Sequence, residues 1–288
     1  MDDLGFGLSL PQAAEAEIRG LLCNVGEELS PTVKAHILGF AHHGLERLVF
    51  DTLVSILGDT NLVVDSGVKG WAPIHAAALL GELGDVAAVD PLVKVIREFH
   101  FTELIVEEAM EALTELAPRA LDRILQLYEE EPHFAIARVL AHAQVRDERI
   151  LQLLVAGLEG PDRVHSVLDL STYGDPAALP ALGQALDRYE VSARPPELLV
   201  HQEAIELIAA IEELGGELSP AQELKRRKID QDRQEKRRQL LKLFETRDEV
   251  DLGPQGWVPP GRNELCWCDS GQKYKKCHLR FDEEARRP

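Results

Sequence analysis

Short amphipathic segments separated by turn signals fill most of residues 1–218 of this 288-residue chain. In segments such as "PLVKVIREF" and "HQEAIELIAAIEELG", apolar residues recur every three or four positions, the spacing of a helix with one buried face. Several helices are predicted to begin alike, with a capping side chain followed by proline at the first helical position. These starts are Ser30-Pro31, Asp90-Pro91, Asp175-Pro176 and Ser219-Pro220. The pattern predicts an all-α chain.

Turn signals recur between these segments. They lie at Gly84-Asp85, Ala117-Pro118, Arg146-Asp147, Gly174-Asp175 and Gly215-Gly216. Two helices repeated at an interval of roughly thirty to forty residues are typical of an α-solenoid. A strand-like apolar run occurs in "NLVVDSGV" (61–68), which we interpret as a loop between helices. An irregular helical bundle without true repeats is the alternative architecture.

The stretch "WAPIHAAALLGELGDVAAVDPLVKVIREF" (71–99) resembles a HEAT repeat, with a helix, a short turn that carries Asp, and a proline at the second helix. The stretch "DPAALPALGQALD" (175–187) repeats the turn and the second helix. Over residues 10–218 this resemblance implies a HEAT-like α-solenoid, a scaffold for protein binding. It implies no particular chemistry.

Charge divides the chain near residue 220. Residues 1–220 carry 14 Lys and Arg against 37 Asp and Glu, whereas residues 221–288 carry 17 against 13. An acidic helical surface repels nucleic acid and anionic membranes and attracts basic peptides, although the charge can also serve solubility alone. Nucleic acid is therefore expected only through residues 221–288.

The charge change coincides with predicted domain limits. Residues 1–218 form the HEAT-like domain, and residues 219–250 form a basic helical extension without an apolar stripe in its middle. Residues 251–260 have the Pro and Gly content of a linker. Residues 261–281 form a small C-terminal module.

Three of the four cysteines lie in this module. A disulfide, a reactive thiol pair and a metal site are the alternatives. Cys266 and Cys268 form one pair, and Cys277 and His278 form a second. A disulfide within the first pair closes a small strained ring, whereas two pairs of sulfur and nitrogen ligands match tetrahedral Zn²⁺. We therefore predict one Zn²⁺ ion bound by Cys266, Cys268, Cys277 and His278.

The stretch "GRNELCWCDSGQKYKKCHL" (261–279) resembles the SEC-C motif, a short zinc-binding module named after the C-terminus of the secretion ATPase SecA. All four ligand positions match. Glu264 replaces the usual Asp, Trp267 the usual Pro and Asp269 the usual Gly. The resemblance implies a tail that docks on a partner, either a SecB-like chaperone or the ribosome, and it says nothing about the rest of the chain.

Three lysines stand between the ligand pairs, Lys273, Lys275 and Lys276, with Tyr274 among them. A metal that fixes this loop at both ends makes the lysines a preformed positive surface, and Tyr274 is expected to add apolar contact to a partner. An acidic chaperone and a phosphate backbone are partners of suitable chemistry. Solvated lysines without a partner are the alternative.

Catalytic signatures are absent from the sequence. No Gly-x-Ser-x-Gly, Walker or His-Glu-x-x-His pattern occurs, and the ten histidines are scattered. The first residues lack the features of a signal peptide, and no apolar run approaches the length of about 18 residues typical of a membrane span. We expect a cytoplasmic, non-enzymatic adaptor or scaffold. An RNA- or ribosome-binding protein and an enzyme of unknown activity in the solenoid groove are the alternatives. The oligomeric state does not follow from the sequence.

Overall fold

The chain is all-α in a computed structural model that describes residues 9–100, 103–191, 201–245, 260–266 and 272–277, together with Leu279. The first seven helices are α1 (Leu10–Leu22), α2 (Pro31–Phe40), α3 (Glu46–Leu57), α4 (Thr60–Val63), α5 (Trp71–Leu83), α6 (Val89–Glu98) and α7 (Leu104–Glu130). They are followed by α8 (Phe134–His142), α9 (Glu148–Gly157), α10 (Arg163–Tyr173), α11 (Leu179–Arg188), α12 (Gln202–Glu213) and α13 (Pro220–Glu245). No strand forms within the described residues, which contain an isolated antiparallel bridge between Leu265 and Lys273.

The chain divides into two compact units, the helical unit (Met1–Ile229) and the C-terminal unit (Asp230–Pro288), and the division falls within α13. The hydrophobic core of the helical unit is continuous from Ile18 to Ile229. Because the side chain of Ile229 is buried, the first residues of α13 pack with the helices before them. The domain limits given above stay predictions.

Helices of the helical unit pack mainly on helices one or two positions away in chain order. Helix α5 contacts α3 and α7, helix α7 also contacts α6 and α8, and helix α10 contacts α8, α9 and α12. Contacts between near neighbours let one core extend along the chain without long-range pairing. The HEAT-like solenoid itself stays a prediction.

One turn-and-helix structure occurs twice in the helical unit. Gly84 ends α5 with φ +71°, and Gly174 ends α10 with φ +69°, a left-handed conformation that glycine adopts without strain. Asp85 and Asp175 follow, and each carboxylate accepts a hydrogen bond from the backbone N–H two residues later. Short 3₁₀ turns then lead into α6 and α11. The repeated turn and second helix are thus confirmed locally.

The predicted turn at Ala117-Pro118 is displaced by two or three residues. Helical geometry is interrupted at Ala120 (φ −122°, ψ 16°), a kink that joins two helices within the range given for α7. Pro118 removes one backbone donor and distorts the helix. Buried side chains on both sides of the kink, including Leu116 and Ile124, hold its two halves in one core.

Two smaller predictions also need correction. Helix α6 begins at Val89, so Asp90 is not its N-cap. The Asp90 carboxylate instead accepts hydrogen bonds from Nε and Nη2 of Arg123, at 2.8 and 3.0 Å. Within residues 61–68, α4 extends to Val63, so the segment is not entirely a loop. Throughout the described part of the chain, no helix has the length and apolar character needed to cross a membrane.

Candidate metal and docking site

Backbone hydrogen bonds fold the described part of the C-terminal module into a hairpin. The Cys266 amide donates to the carbonyl of Gln272 at 2.8 Å, and the Tyr274 amide donates to the carbonyl of Glu264 at 2.8 Å. The Lys275 amide donates to the carbonyl of Arg262 at 3.1 Å. Because the two arms run antiparallel, the residues that adjoin Cys266 lie beside those that lead to Cys277.

A compact turn lies at the outer end of each arm of the hairpin. The second arm ends in a 3₁₀ turn over Tyr274–Lys276, and the Cys277 amide donates to the carbonyl of Tyr274 at 3.1 Å. At the start of the first arm, the carboxylate of Glu264 accepts a hydrogen bond from the Gly261 amide at 2.8 Å. Glu264 stands where the SEC-C pattern usually has Asp, and this contact gives the longer carboxylate a structural role.

Few of the module's described side chains are buried. Among its described residues, Cys266 is 3% exposed and Tyr274 is 2% exposed, while Cys277 is half-buried. Leu265 is largely exposed. Two buried side chains offset little of the conformational entropy of ordering these described residues, which favours additional stabilisation by a metal or a disulfide.

The three lysines and Tyr274 occupy different environments. Lys273, Lys275 and Lys276 are exposed and lie on or beside the 3₁₀ turn. Tyr274 is buried, so its ring packs within the protein and is not placed to touch a partner as expected. The exposed members of the predicted partner-contact set are therefore the three lysines.

Two of the four predicted zinc ligands, Cys268 and His278, lie outside the described residues. Cys266 and Cys277 are described, and the hairpin holds their flanking residues together. The described residues alone contain no group of three or more His, Cys, Asp or Glu side chains arranged to hold a metal. The complete ligand set therefore stays a prediction. A buried thiol in a nearly coreless hairpin fits a structural zinc site.

Comparison with protein families matches residues 262–280 to the SEC-C motif. The match confirms the resemblance of this segment and spans a small part of the chain. Comparisons with curated proteins and with solved structures found no match. The helical unit is therefore interpreted from its own geometry.

The basic residues at the start of α13 have a structural role that the sequence did not reveal. The Lys225 ammonium donates to the carbonyls of Leu186 at 2.5 Å, Asp187 at 3.0 Å and Tyr189 at 2.7 Å. These carbonyls lie at the C-terminus of α11, where the helix dipole favours a cation. The Lys228 ammonium donates to the carbonyl of Val191 at 3.4 Å. These two charges are therefore engaged within the helical unit.

Proposed function

We propose that this chain is a cytoplasmic, non-enzymatic adaptor in which a HEAT-like α-solenoid binds protein and a zinc-stabilised SEC-C tail docks on a partner. The observation that carries the proposal is the SEC-C match at residues 262–280. The all-α helical unit supports the scaffold role, because stacked helices present extended binding surfaces.

In this proposal Zn²⁺ is structural and is held by Cys266, Cys268, Cys277 and His278. The ion ties the two ends of the lysine loop together and supplies folding free energy that the module's side chains do not. The nearly coreless hairpin described above supports this role.

The docking surface in this proposal is the lysine cluster, defined as Lys273, Lys275 and Lys276. A preformed cluster of cations loses little conformational entropy on binding and is complementary to an acidic protein surface. A SecB-like chaperone and an acidic protein surface of the ribosome both have that chemistry.

The decisive experiment reverses the lysine cluster in the full chain. The variant Lys273→Glu, Lys275→Glu and Lys276→Glu should keep its zinc and lose roughly tenfold or more in affinity for a purified SecB-like chaperone or for purified ribosomes, because attractions become repulsions. A matched control, Arg233→Glu, Lys236→Glu and Arg237→Glu, makes the same charge change in α13. Equal affinity of the cluster variant and wild type contradicts docking through the tail.

The second candidate is RNA binding, favoured by the exposed Arg233, Arg237 and Arg238 of α13. Lys225 and Lys228 contribute little to it because carbonyl groups hold their ammonium groups. RNA binding predicts that the α13 control variant loses affinity for ribosomes and that nuclease treatment releases the captured material. Affinity that survives both treatments contradicts it.

A further inference from the structure

A cleft of about 690 Å³ lies in the helical unit between α7, α8, α9 and α10. Its lining includes Leu125, Tyr128, Phe134, Leu153, His165 and Asp169. Gly157 allows α9 to come close to α10, since a Cβ atom there would lie 2.4 Å from the Ser166 hydroxyl. The cleft thus combines apolar walls with a few polar groups, the usual composition of a binding site.

Three rings form a row along one wall of the cleft. Phe134 stacks on His133 with centroids 5.0 Å apart and faces His165 at 5.4 Å. His133 caps α8, its Nδ1 accepting a hydrogen bond from the Ala135 amide at 3.3 Å. Burial, followed by the nearby Arg97, lowers the pKa of His133 and favours the neutral ring. A neutral ring at His133 does not repel a cation that enters the cleft.

Asp169 is a nearly buried carboxylate in the lining, 3% exposed. Arg138 donates from Nε to Oδ1 across 3.4 Å, a long contact, and the hydrogen bonds formed among the described residues leave Oδ2 unused. Burial raises the pKa of the Asp169 carboxyl, and Arg138 opposes that effect. A buried carboxylate with one weak partner gains from a second cation.

Other charges around the cleft favour the same kind of ligand. Glu129 and Asp162 are exposed members of its lining. The lining cation Arg149 is already paired, with Asp122 and Asp147 each at 2.8 Å. The surface that a ligand meets is therefore acidic, in keeping with the excess of Asp and Glu in residues 1–220.

We propose that this cleft binds an arginine side chain of a partner peptide. The guanidinium donates to Oδ2 of Asp169, and its planar face lies against the ring of Tyr128. Arginine fits better than lysine because its flat guanidinium stacks on rings and bonds a carboxylate in the same plane. This inference rests on the proposal that the helical unit binds protein, and it gives that unit a ligand class distinct from that of the tail.

The test titrates the full chain with an acetylated, amidated pentapeptide, Gly-Ser-Arg-Ser-Gly, and follows the ring signals of His133 and His165 by NMR. The matched probe replaces arginine with citrulline, which has the same shape and no charge. The arginine peptide should shift both histidine signals and bind about tenfold or more tightly than the citrulline peptide. Equal binding of the two peptides overturns the proposal.

Variants locate the binding site. Asp169→Asn should abolish the preference for arginine, while Glu111→Gln, an equal loss of charge on an exposed part of α7, should retain it. If Asp169→Asn does not fold, the pair Glu129→Gln and Asp162→Asn decides, with an expected loss of about threefold in affinity for the arginine peptide. If Asp169→Asn folds and still prefers the arginine peptide, the proposal is overturned. If Asp169→Asn does not fold, an unchanged preference in the Glu129→Gln and Asp162→Asn variant overturns it. The lysine-cluster pull-down does not involve the cleft, so a failed peptide test beside a successful pull-down rejects the cleft alone.

Discussion

The helical unit and the C-terminal module contrast in how much side chain each one buries. The core of the helical unit runs from Ile18 to Ile229, whereas the described residues of the module bury Cys266 and Tyr274. Ordering one residue costs about 1–2 kcal/mol of backbone entropy, so these two buried side chains offset little of the cost of ordering the described residues of the module. The helical unit is held by packing, and we expect the module to depend on a cross-link.

Zinc removal should give the largest effect and should act on the module alone. Cys277→Ser, or a strong chelator, is expected to reduce the zinc content from about one ion per chain to none and to unfold the hairpin, because metal binding is coupled to folding in such small modules. Elemental analysis measures the metal, and NMR dispersion of the amides of residues 262–266 reports the hairpin.

The control for that experiment is the helical unit. Its far-UV circular dichroism should be unchanged by the chelator, since its core contains no predicted ligand. Cys23→Ser changes the cysteine outside the module and should retain the zinc. If removing the metal causes a large loss of helical circular dichroism, the two regions are not stabilised independently. A Cys277→Ser protein that retains all its zinc also contradicts the predicted site.

Shortening a buried side chain of the helical unit should lower the stability of that unit and leave the zinc content unchanged. Leu113→Ala removes a fully buried side chain from α7 and should lower the free energy of unfolding by about 2–5 kcal/mol, while the zinc content stays the same. Urea denaturation monitored by circular dichroism measures the change. Leu224→Ala, at an exposed position of α13, should cost less than about 0.5 kcal/mol. Equal costs at the two positions argue against a packed core around Leu113.

Features set by neighbouring residues could be predicted from the sequence. The caps at Ser30 and Asp175 were correct because a capping side chain acts on an amide two or three residues away. The SEC-C segment was recognised from the spacing of its cysteines and histidine together with the residues around them. The break near Pro118 was predicted from the proline, but the sequence does not reveal that tertiary packing keeps the chain helical on both sides of it.

Features that depend on distant residues could not be predicted. The carbonyl partners of Lys225 lie 36 to 39 residues away, and nothing in a basic helix indicates which lysine packs against a helix terminus. The burial of Tyr274 likewise depends on the folded hairpin. Asp169 lies in an ordinary amphipathic helix, and its cleft exists only once four helices have assembled.

The Lys225 contacts predict a smaller effect within the helical unit. Lys225→Met keeps the aliphatic stem and removes the cation from three carbonyls, so it should destabilise the unit by about 1–3 kcal/mol. Lys94→Met removes an exposed cation paired with Glu98 and should lower the free energy of unfolding by about 0.3 kcal/mol. Urea denaturation distinguishes the two, and equal costs contradict a special role for Lys225.

The smallest expected effect is a pH dependence at Asp147, the N-cap of α9. The side chain and backbone amide of Arg149 hold the pKa of this carboxyl down to about 2, from 3.8. A depressed pKa contributes stability above the unfolded value, and that contribution is lost as the pH falls through about 2. Asp147→Asn retains a capping side chain and removes the charge. The free energy of unfolding of wild type should therefore exceed that of the variant by at most about 1 kcal/mol at pH 6.

The same acid titration separates the two regions. The stability difference between wild type and Asp147→Asn should shrink between pH 4 and pH 2, and urea denaturation at pH 6, 4 and 2.5 measures it. Zinc should leave at a higher pH, because thiolate and imidazole ligands take up protons before carboxylates do. Metal release should therefore precede any loss of helical signal. A difference that stays constant to pH 2 contradicts the Asp147 prediction, and zinc retained below pH 3 contradicts a site of thiolates and imidazole.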